Sequence, residues 1–174
     1  MLSIAIGMPQ FQGSIPTNKK RHNSARATCT SHGFGSTLTP MRQVKDTLRS
    51  TVRISYDGLV YKTFRGPLAQ ERFANEVRVL QFLGSKNCLF VPTLVNFYPE
   101  QLQIVTTSCG SRVERIDEGR IKELFEELER YGVRHDDPDI RNVTYRQSDG
   151  RFCLIDFEFA TILPSPAGEP TAHE

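Results

Sequence analysis

The sequence predicts an α+β fold built from short antiparallel strands and two amphipathic helices. Three pairs of β-rich runs are separated by turn signals, of which Asp57-Gly58 and Asp149-Gly150 are typical of hairpins. Two stretches between these pairs repeat their apolar residues at helical spacing instead. Hairpins and helices that follow one another in blocks indicate an α+β domain rather than a regular alternation of strands and helices.

Six β-rich runs account for the predicted strands. They form three hairpins in chain order, with the bounds 51–54 and 59–64, 94–98 and 102–107, and 143–146 and 151–155. Tight turns at Asp57-Gly58, Pro99-Glu100 and Asp149-Gly150 connect the members of each pair. Lys62 falls in the second of these strands.

Two amphipathic helices are predicted between the hairpins. The apolar stripe of the first consists of Phe73, Val77, Leu80 and Leu83, and that of the second consists of Ile121, Leu124, Phe125 and Leu128. Gly84 and Gly132 are expected to end the two helices, because glycine is common just past a helix C-terminus. Glu76 lies beside the apolar stripe of the first helix.

Charge divides the chain into a basic arm and an acidic remainder. Residues 1–45 contain six of the 22 basic residues and none of the 20 acidic ones. The folded part therefore carries an excess of negative charge, which argues against a nucleic-acid-binding domain. No apolar stretch reaches the length of a membrane span, so no membrane partner is expected.

Residues 1–40 are predicted to be disordered, because they are rich in Ser and Thr and show no apolar periodicity. Their composition fits an organellar transit peptide, which predicts a plastid or mitochondrial protein. The alternative is an over-extended gene start with Met41 as the initiator, and a bacterial source then predicts a cytoplasmic location. Residues 164–174 contain three prolines and are predicted to be a flexible tail. The folded domain is then expected to cover residues 41–163.

The four cysteines, Cys29, Cys88, Cys109 and Cys153, form no CxxC pair. They are expected to be reduced thiols rather than a zinc site or a disulfide framework. We therefore expect a reducing compartment.

The most informative stretch begins at His135 and ends at the segment Asp156-Phe157-Glu158. Asp137 and Asn142 lie five positions apart, and Asp156 follows an apolar run after a hairpin turn. Kinase-like enzymes present a catalytic base and two metal ligands in this order. Turn-forming loops are also rich in Asp, Asn and Pro, but a turn does not explain a charge placed directly after four apolar residues.

Lys62 and Glu76 lie upstream, in a predicted strand and in the helix that follows it. A kinase lysine is oriented toward the nucleotide phosphates by an ion pair with such a helix glutamate. The alternative is that each is an ordinary surface charge. Their order relative to the downstream motif favours the ion pair.

Together these motifs resemble the protein-kinase-like superfamily, in its atypical or minimal branch. His135-Asp136-Asp137 with Asn142 is similar to the H-x-D-x-x-x-x-N loop of choline and aminoglycoside kinases. The segment from Ile155 to Ala160 is similar to the I-D-F-E-Y-A form of choline-type kinases. The resemblance covers residues 47–163, and implies an antiparallel-sheet N-lobe, a much reduced C-lobe, and ATP and Mg²⁺ as cofactors.

The resemblance also implies roles for individual residues. Lys62 would hold the α and β phosphates, Glu76 would pair with Lys62, and Asp137 would be the base. Asn142 and Asp156 would bind Mg²⁺, and His135 would brace the loop. The adenine would be lined by the strand end that includes Thr107 and Cys109.

Two departures from this family pattern shape the functional expectation. No G-x-G-x-x-G loop precedes Lys62, so only residues 47–51 are expected to cover the phosphates. Few residues follow Glu158, so the lobe that binds the acceptor is expected to be missing or supplied by a protein partner. We expect a minimal kinase acting on a protein or small-molecule hydroxyl, with a nucleotide-binding pseudokinase or regulatory module as the alternative.

Overall fold

The structure is a computed structural model that describes residues 41–164. The predictions for the arm 1–40, as a disordered segment, a transit peptide or an over-extended start, lie outside the described residues. The tail predicted over 164–174 lies outside them as well, apart from Pro164.

The predicted α+β class is confirmed, and its largest element is a five-stranded antiparallel sheet in the order β1-β2-β3-β5-β4. The bounds of these strands are β1 Met41–Asp46, β2 Ser50–Ser55, β3 Leu59–Phe64, β4 Leu94–Tyr98 and β5 Gln103–Thr107. The two predicted N-terminal hairpins are confirmed to within a residue or two at each end. β1 was not predicted, because most of its side chains are polar and exposed.

Two smaller sheets follow, one with the order β6-β8-β9 and the other made of β7 and β10. Their bounds are β6 Ser111–Arg112, β7 Val133–Arg134, β8 Val143–Arg146, β9 Arg151–Leu154 and β10 Thr161–Ile162. The third predicted hairpin is β8 with β9. The three two-residue strands are too short to produce a sequence pattern.

The helices are α1, Ala69–Ser85, and α2, Glu118–Arg130. Short 3₁₀ turns occupy Pro99–Gln101 and Ile140–Asn142. The helix α1 ends one residue after Gly84, at Ser85, and the chain enters the left-handed region only at Asn87, whose φ is 53°. Gly132 does follow the end of α2, with a φ of 83°.

One cluster of buried apolar side chains joins the helices to the sheets. Val79, Leu80 and Leu83 of α1 and Leu124 and Leu128 of α2 belong to this cluster, as do residues of β3, β5, β8 and β9. Phe157 is completely buried in the same cluster. The residues on either side of Phe157, Asp156 and Glu158, are therefore anchored by the core.

The described cysteines, Cys88, Cys109 and Cys153, are free and buried. Within residues 41–164, no helix combines the length and the apolar character that crossing a membrane would require.

Candidate active site

Lys62 is the centre of a buried charge cluster on the face of β3 that meets α1. Its Nζ lies 2.6 Å from Glu76 Oε2 and 2.5 Å from Asp156 Oδ1. Glu158 Oε2 is 3.5 Å away. The structure thus brings together the predicted strand lysine, the predicted helix glutamate and the predicted second aspartate. We call Lys62, Glu76, Asp156 and Glu158 the lysine cluster.

The three carboxylates of the lysine cluster compete for one ammonium group. Each offers an oxygen that lies within 4.8 Å of the others. Burial and the neighbouring carboxylates raise the pKa of Glu76 to about 7, against the opposing effect of Lys62. Burial by itself lowers the pKa of Lys62, but the three carboxylates outweigh it, and the pKa is raised. Glu158 and Asp156 each have a second cationic neighbour, Arg72 at 3.1 Å and Lys45 at 3.5 Å.

Asp156 follows β9 in a backbone conformation that is uncommon for a residue with a side chain, with a φ of 70°. The preceding residue, Ile155, donates a backbone hydrogen bond to the Asn142 carbonyl at 2.9 Å. Burial raises the pKa of Asp156, but Lys62, with a further contribution from Lys45, lowers it to about 2. Asp156 is thus an ionised carboxylate that directly follows a residue hydrogen-bonded to the Asn142 backbone.

Two polar residues of α1 hold the segment that follows Asp156. Asn75 Nδ2 donates to the carbonyl oxygens of Glu158 and Ala160 at 3.2 and 2.9 Å. Arg72 Nη1 lies 3.1 Å from Glu158 Oε2, and its Nη2 donates to the Arg65 carbonyl at 2.8 Å. Because α1 also carries Glu76, a single helix positions both sides of the lysine cluster.

The predicted base, Asp137, lies in the loop that connects β7 to β8. Arg141 Nη2 contacts both of its carboxylate oxygens, at 2.7 and 2.8 Å. Asn142 Nδ2 donates to Asp137 Oδ2 at 3.0 Å and to the Asp137 carbonyl at 2.9 Å. The hydrogen bonds from Arg141, and then from Asn142, lower the pKa of Asp137 against the effect of burial. We call residues 135–142 the Asp137 loop.

Asp136 has partners of its own, whereas Asp139 shares Arg141 with Asp137, through a side-chain contact of 3.5 Å. Asp136 accepts hydrogen bonds from Arg134 Nε at 2.5 Å and from the Thr161 hydroxyl. Asp139 caps the 3₁₀ turn by accepting from the Arg141 backbone N–H at 2.8 Å. Of the three, Asp137 is the one whose side chain meets Asn142.

His135 connects the Asp137 loop to the end of β9. Its Nε2 is 2.9 Å from the Ile155 carbonyl oxygen. The imidazole ring packs between Phe125 and Phe157, with centroid distances of 5.4 and 5.0 Å. His135 therefore contacts the residue directly before Asp156, which fits the bracing role that the resemblance implied.

Thr107 and Cys109, the predicted adenine-lining residues, both have structural partners. The Thr107 hydroxyl accepts from the Thr93 backbone N–H at 3.0 Å. Cys109 is buried beside Cys153, and their contact, with burial, raises the pKa of the Cys109 thiol. The backbone N–H groups of Thr107 and Ser108 also have partners, the carbonyls of Thr93 and Gly58, and the role of this segment toward a nucleotide stays a prediction.

The turn between β1 and β2 lies above the β3–α1 connection. The Thr47 carbonyl accepts from Arg65 Nε at 2.7 Å, and Arg72 Nη1 reaches the Arg49 carbonyl at 3.4 Å. Gly66 is required there, because a Cβ would lie 2.7 Å from the Leu48 carbonyl oxygen. The segment predicted to cover phosphates is therefore tied to the same arginine that contacts Glu158.

Sequence reasoning missed three charged residues of the site: Lys45, Arg72 and Arg141. Arg72 lies one helical turn before Glu76, so helical spacing alone could have indicated a shared face. Arg141 lies four positions after Asp137 and could have been examined for the same reason. Lys45 had no such signal, because its contact with Asp156 spans 111 positions of the chain.

No model of a known protein family matches this chain, and no curated protein matches it. Function is therefore inferred from the geometry and the chemistry of the site itself.

Proposed function

We propose that this chain is an ATP- and Mg²⁺-dependent phosphotransferase with a minimal protein-kinase-like fold. The observation that carries the proposal is the buried contact of Lys62 with both Glu76 and Asp156, at 2.6 and 2.5 Å. A lysine held between a helix glutamate and a metal-binding aspartate is the arrangement that kinases use at the nucleotide phosphates. The antiparallel sheet with α1 packed against it supports a reduced kinase-like architecture.

The donor set fits a hard divalent cation. Asp156 offers an ionised carboxylate, and Asn142 uses its amide nitrogen on Asp137, which leaves the side-chain oxygen for another partner. Magnesium prefers oxygen ligands of these kinds. Asp156 and Asn142 would hold Mg²⁺, which supplies charge neutralisation for the transferred phosphoryl group.

Each protein group then has a distinct task. The Lys62 ammonium would bind phosphate oxygens, and Glu76 keeps it extended toward them. Asp137 would orient the acceptor hydroxyl and take its proton. Arg141 holds the Asp137 carboxylate in one orientation, and after the contacts with Arg141 and Asn142 one of its four lone pairs remains for the hydroxyl.

The nucleotide base would lie against the strand end that holds Thr107 and Cys109. The acceptor is a hydroxyl on a protein or on a small molecule, and a protein partner would complete the surface that binds it.

A pseudokinase or regulatory module is the second candidate. It is favoured by one observation, the two-oxygen contact between Arg141 and Asp137, which could serve to neutralise the aspartate rather than to orient a base. Both candidates require nucleotide binding, and they differ in whether Asp137 contributes to turnover.

The test of nucleotide binding is a thermal-unfolding experiment with millimolar Mg²⁺-ATP. A ligand that binds only the folded state stabilises it by about 2.7 kcal/mol at a hundredfold excess over its Kd. We expect Asp156→Asn to lose most of this shift. Asp57→Asn is the matched control, because it makes the same change at an exposed turn where Asn-Gly is equally favourable. An unchanged melting temperature in the wild type would remove the proposal.

Turnover is tested by transfer of radiolabel from ATP, with the protein alone and with cell extract. Label incorporated by the wild type and not by Asp156→Ala would support a phosphotransferase. Nucleotide binding without any transfer would favour the regulatory module.

A further inference from the structure

Lys45 faces the active site because of an irregularity in β1. The β1–β2 register pairs Gln43 with Arg53 and then Lys45 with Val52, so Val44 is an extra, unpaired residue. Without this bulge, Lys45 would stand opposite Thr51, and its side chain would point to the other face of the sheet. The bulge therefore turns one specific lysine to the functional face.

The same face carries Lys62. Val52 is paired with both Lys45 and Lys62, so the three residues form one row across neighbouring strands. Residues directly opposite each other in antiparallel strands share a face, and two strand spacings place the backbones of the lysines about 10 Å apart. The two lysines thus approach Asp156 from two sides.

The two lysines take different oxygens of Asp156. Lys62 Nζ lies 2.5 Å from Oδ1, and Lys45 Nζ lies 3.5 Å from Oδ2. The Lys62 side chain is 8% exposed, whereas that of Lys45 is 35% exposed. A long contact made by a solvent-accessible lysine is weak, and its four-carbon stem can reorient. Lys62 is a fixed cation of this site and Lys45 a movable one.

We propose that Lys45 is a displaceable cation that occupies the outer oxygen of Asp156 until nucleotide binds and then contacts a phosphate. This inference rests on the proposed function, because it requires Asp156 to bind a metal ion together with a nucleotide. In the free protein the Lys45 ammonium joins Lys62 and Arg72 as the third cation facing the three carboxylates of the lysine cluster. In the complex it supplies a phosphate contact on the β1–β2 side of the site, where residues 41–64 contain no glycine-rich loop.

The proposal predicts effects of opposite sign on metal and on nucleotide. Without nucleotide, Lys45→Met should bind Mn²⁺ about two- to fivefold more tightly than the wild type, because the metal no longer has to displace an exposed ion-pair partner. With Mg²⁺ and a non-hydrolysable ATP analogue, Lys45→Met should bind the analogue about tenfold more weakly, because a charge-assisted hydrogen bond to phosphate is lost. Free Mn²⁺ is measured by electron paramagnetic resonance and the analogue by calorimetry.

Two further variants separate this role from a general effect of charge or folding. Lys45→Arg keeps the positive charge and should resemble the wild type in both measurements. Arg53→Met removes one positive charge from an exposed residue of β2, which stands opposite Gln43 on the other face of the sheet. It should leave both affinities unchanged.

The outcomes distinguish this inference from the function on which it rests. Suppose that the wild type binds the analogue and that Lys45→Met either weakens the binding of neither Mn²⁺ nor the analogue or weakens the binding of both. The displaceable-cation role is then overturned, and the phosphotransferase proposal stands. If the wild type binds neither Mn²⁺ nor the analogue, both proposals are overturned. Equal effects of Lys45→Met and Arg53→Met would mean that Lys45 acts only through the overall charge of the protein. That outcome would overturn its specific role.

Discussion

The lysine cluster and the Asp137 loop are both rich in charge, yet they are built in opposite ways. Lys62 and Glu76 are buried, and Lys62 meets Asp156 across 94 positions of the chain. The side chain of Asp137 makes its contacts within five positions, and the Arg141 side chain is 59% exposed. The lysine cluster depends on the whole fold, whereas the partners of the Asp137 side chain are local in sequence.

This contrast separates stability from chemistry. Buried charges that balance one another are costly to leave unpaired, so a change in the lysine cluster should affect folding as well as binding. Exposed ion pairs contribute little to stability, so a change at Asp137 or Arg141 should affect mainly the reaction. The following predictions test this division.

The largest effect is expected at Asp137, in the exposed region. Asp137→Asn should reduce phosphoryl transfer about 10²- to 10⁴-fold, because a positioned base contributes that much to the rate. Binding of Mg²⁺-ATP should change little, since Asn142 and Asp156 remain. Transfer is measured with radiolabelled ATP, and binding is measured by the thermal shift.

Asp139→Asn is the matched control for this loop. Asn caps a 3₁₀ or helical turn about as well as Asp, and the exposed 3.5 Å contact of Asp139 with Arg141 is weak, so the loop should keep its shape and its rate. Equal loss of ATP binding in Asp137→Asn and Asp156→Asn would mean that Asp137 is a metal ligand or a structural residue. A variant with wild-type binding and no change in any activity would instead favour the regulatory module.

The largest loss of stability is expected at Lys62. Lys62→Met should lower the free energy of unfolding by about 3–5 kcal/mol at pH 8, because it leaves buried carboxylates without their shared cation. The measurement is urea denaturation. Lys122→Met, on the exposed face of α2, should stay within about 0.5 kcal/mol of the wild type. A loss as small as that of Lys122→Met would mean that water reaches the cluster freely.

Stability should also depend on pH through Glu76. Its pKa is raised from 4.5 to about 7, so between these values the folded protein holds a proton that the unfolded chain has released. Stability should therefore fall as pH rises from about 4.5 to 7, by on the order of 1–3 kcal/mol. Asp156 acts in the opposite sense and in a lower window, because its pKa is lowered to about 2 and its contribution is lost as pH falls below about 4.

Urea denaturation across pH 4.5–7 isolates the Glu76 effect. Glu76→Gln should remove most of the decline, whereas Glu126→Gln, on exposed α2, should retain it. A decline of the same size in Glu76→Gln would assign the titration to another group.

The difference between the two regions also explains what the sequence could predict. The strands and helices followed from local periodicity, and Asp137 was paired with Asn142 because a five-residue step is visible in the chain. Gly84 predicted the end of α1 to within one residue, since the helix ends at Ser85.

Contacts across strands were much harder to foresee. Lys62 and Asp156 were connected only through the resemblance to kinase-like proteins, since nothing local relates them. Lys45 was missed altogether, because a one-residue bulge decides its face and no sequence pattern in β1 marks the bulge. Arg72 was missed because its partners, Glu158 and three loop carbonyls, come from separate parts of the chain.

The smallest effect is expected at Arg141, and it sharpens the comparison most. Arg141 is exposed, so Arg141→Gln should leave the urea midpoint unchanged. The same variant should raise the pKa of Asp137, because the hydrogen bonds from Arg141 are the main cause of its lowered value. The carboxyl carbon of Asp137, followed by NMR, should therefore titrate at higher pH in Arg141→Gln than in the wild type. If Asp137 is the base, the acid limb of the pH–rate profile should move in the same direction. A shifted titration without a shifted rate profile would separate the electrostatic role of Arg141 from any role of Asp137 in turnover, and an unshifted titration would contradict the contact itself.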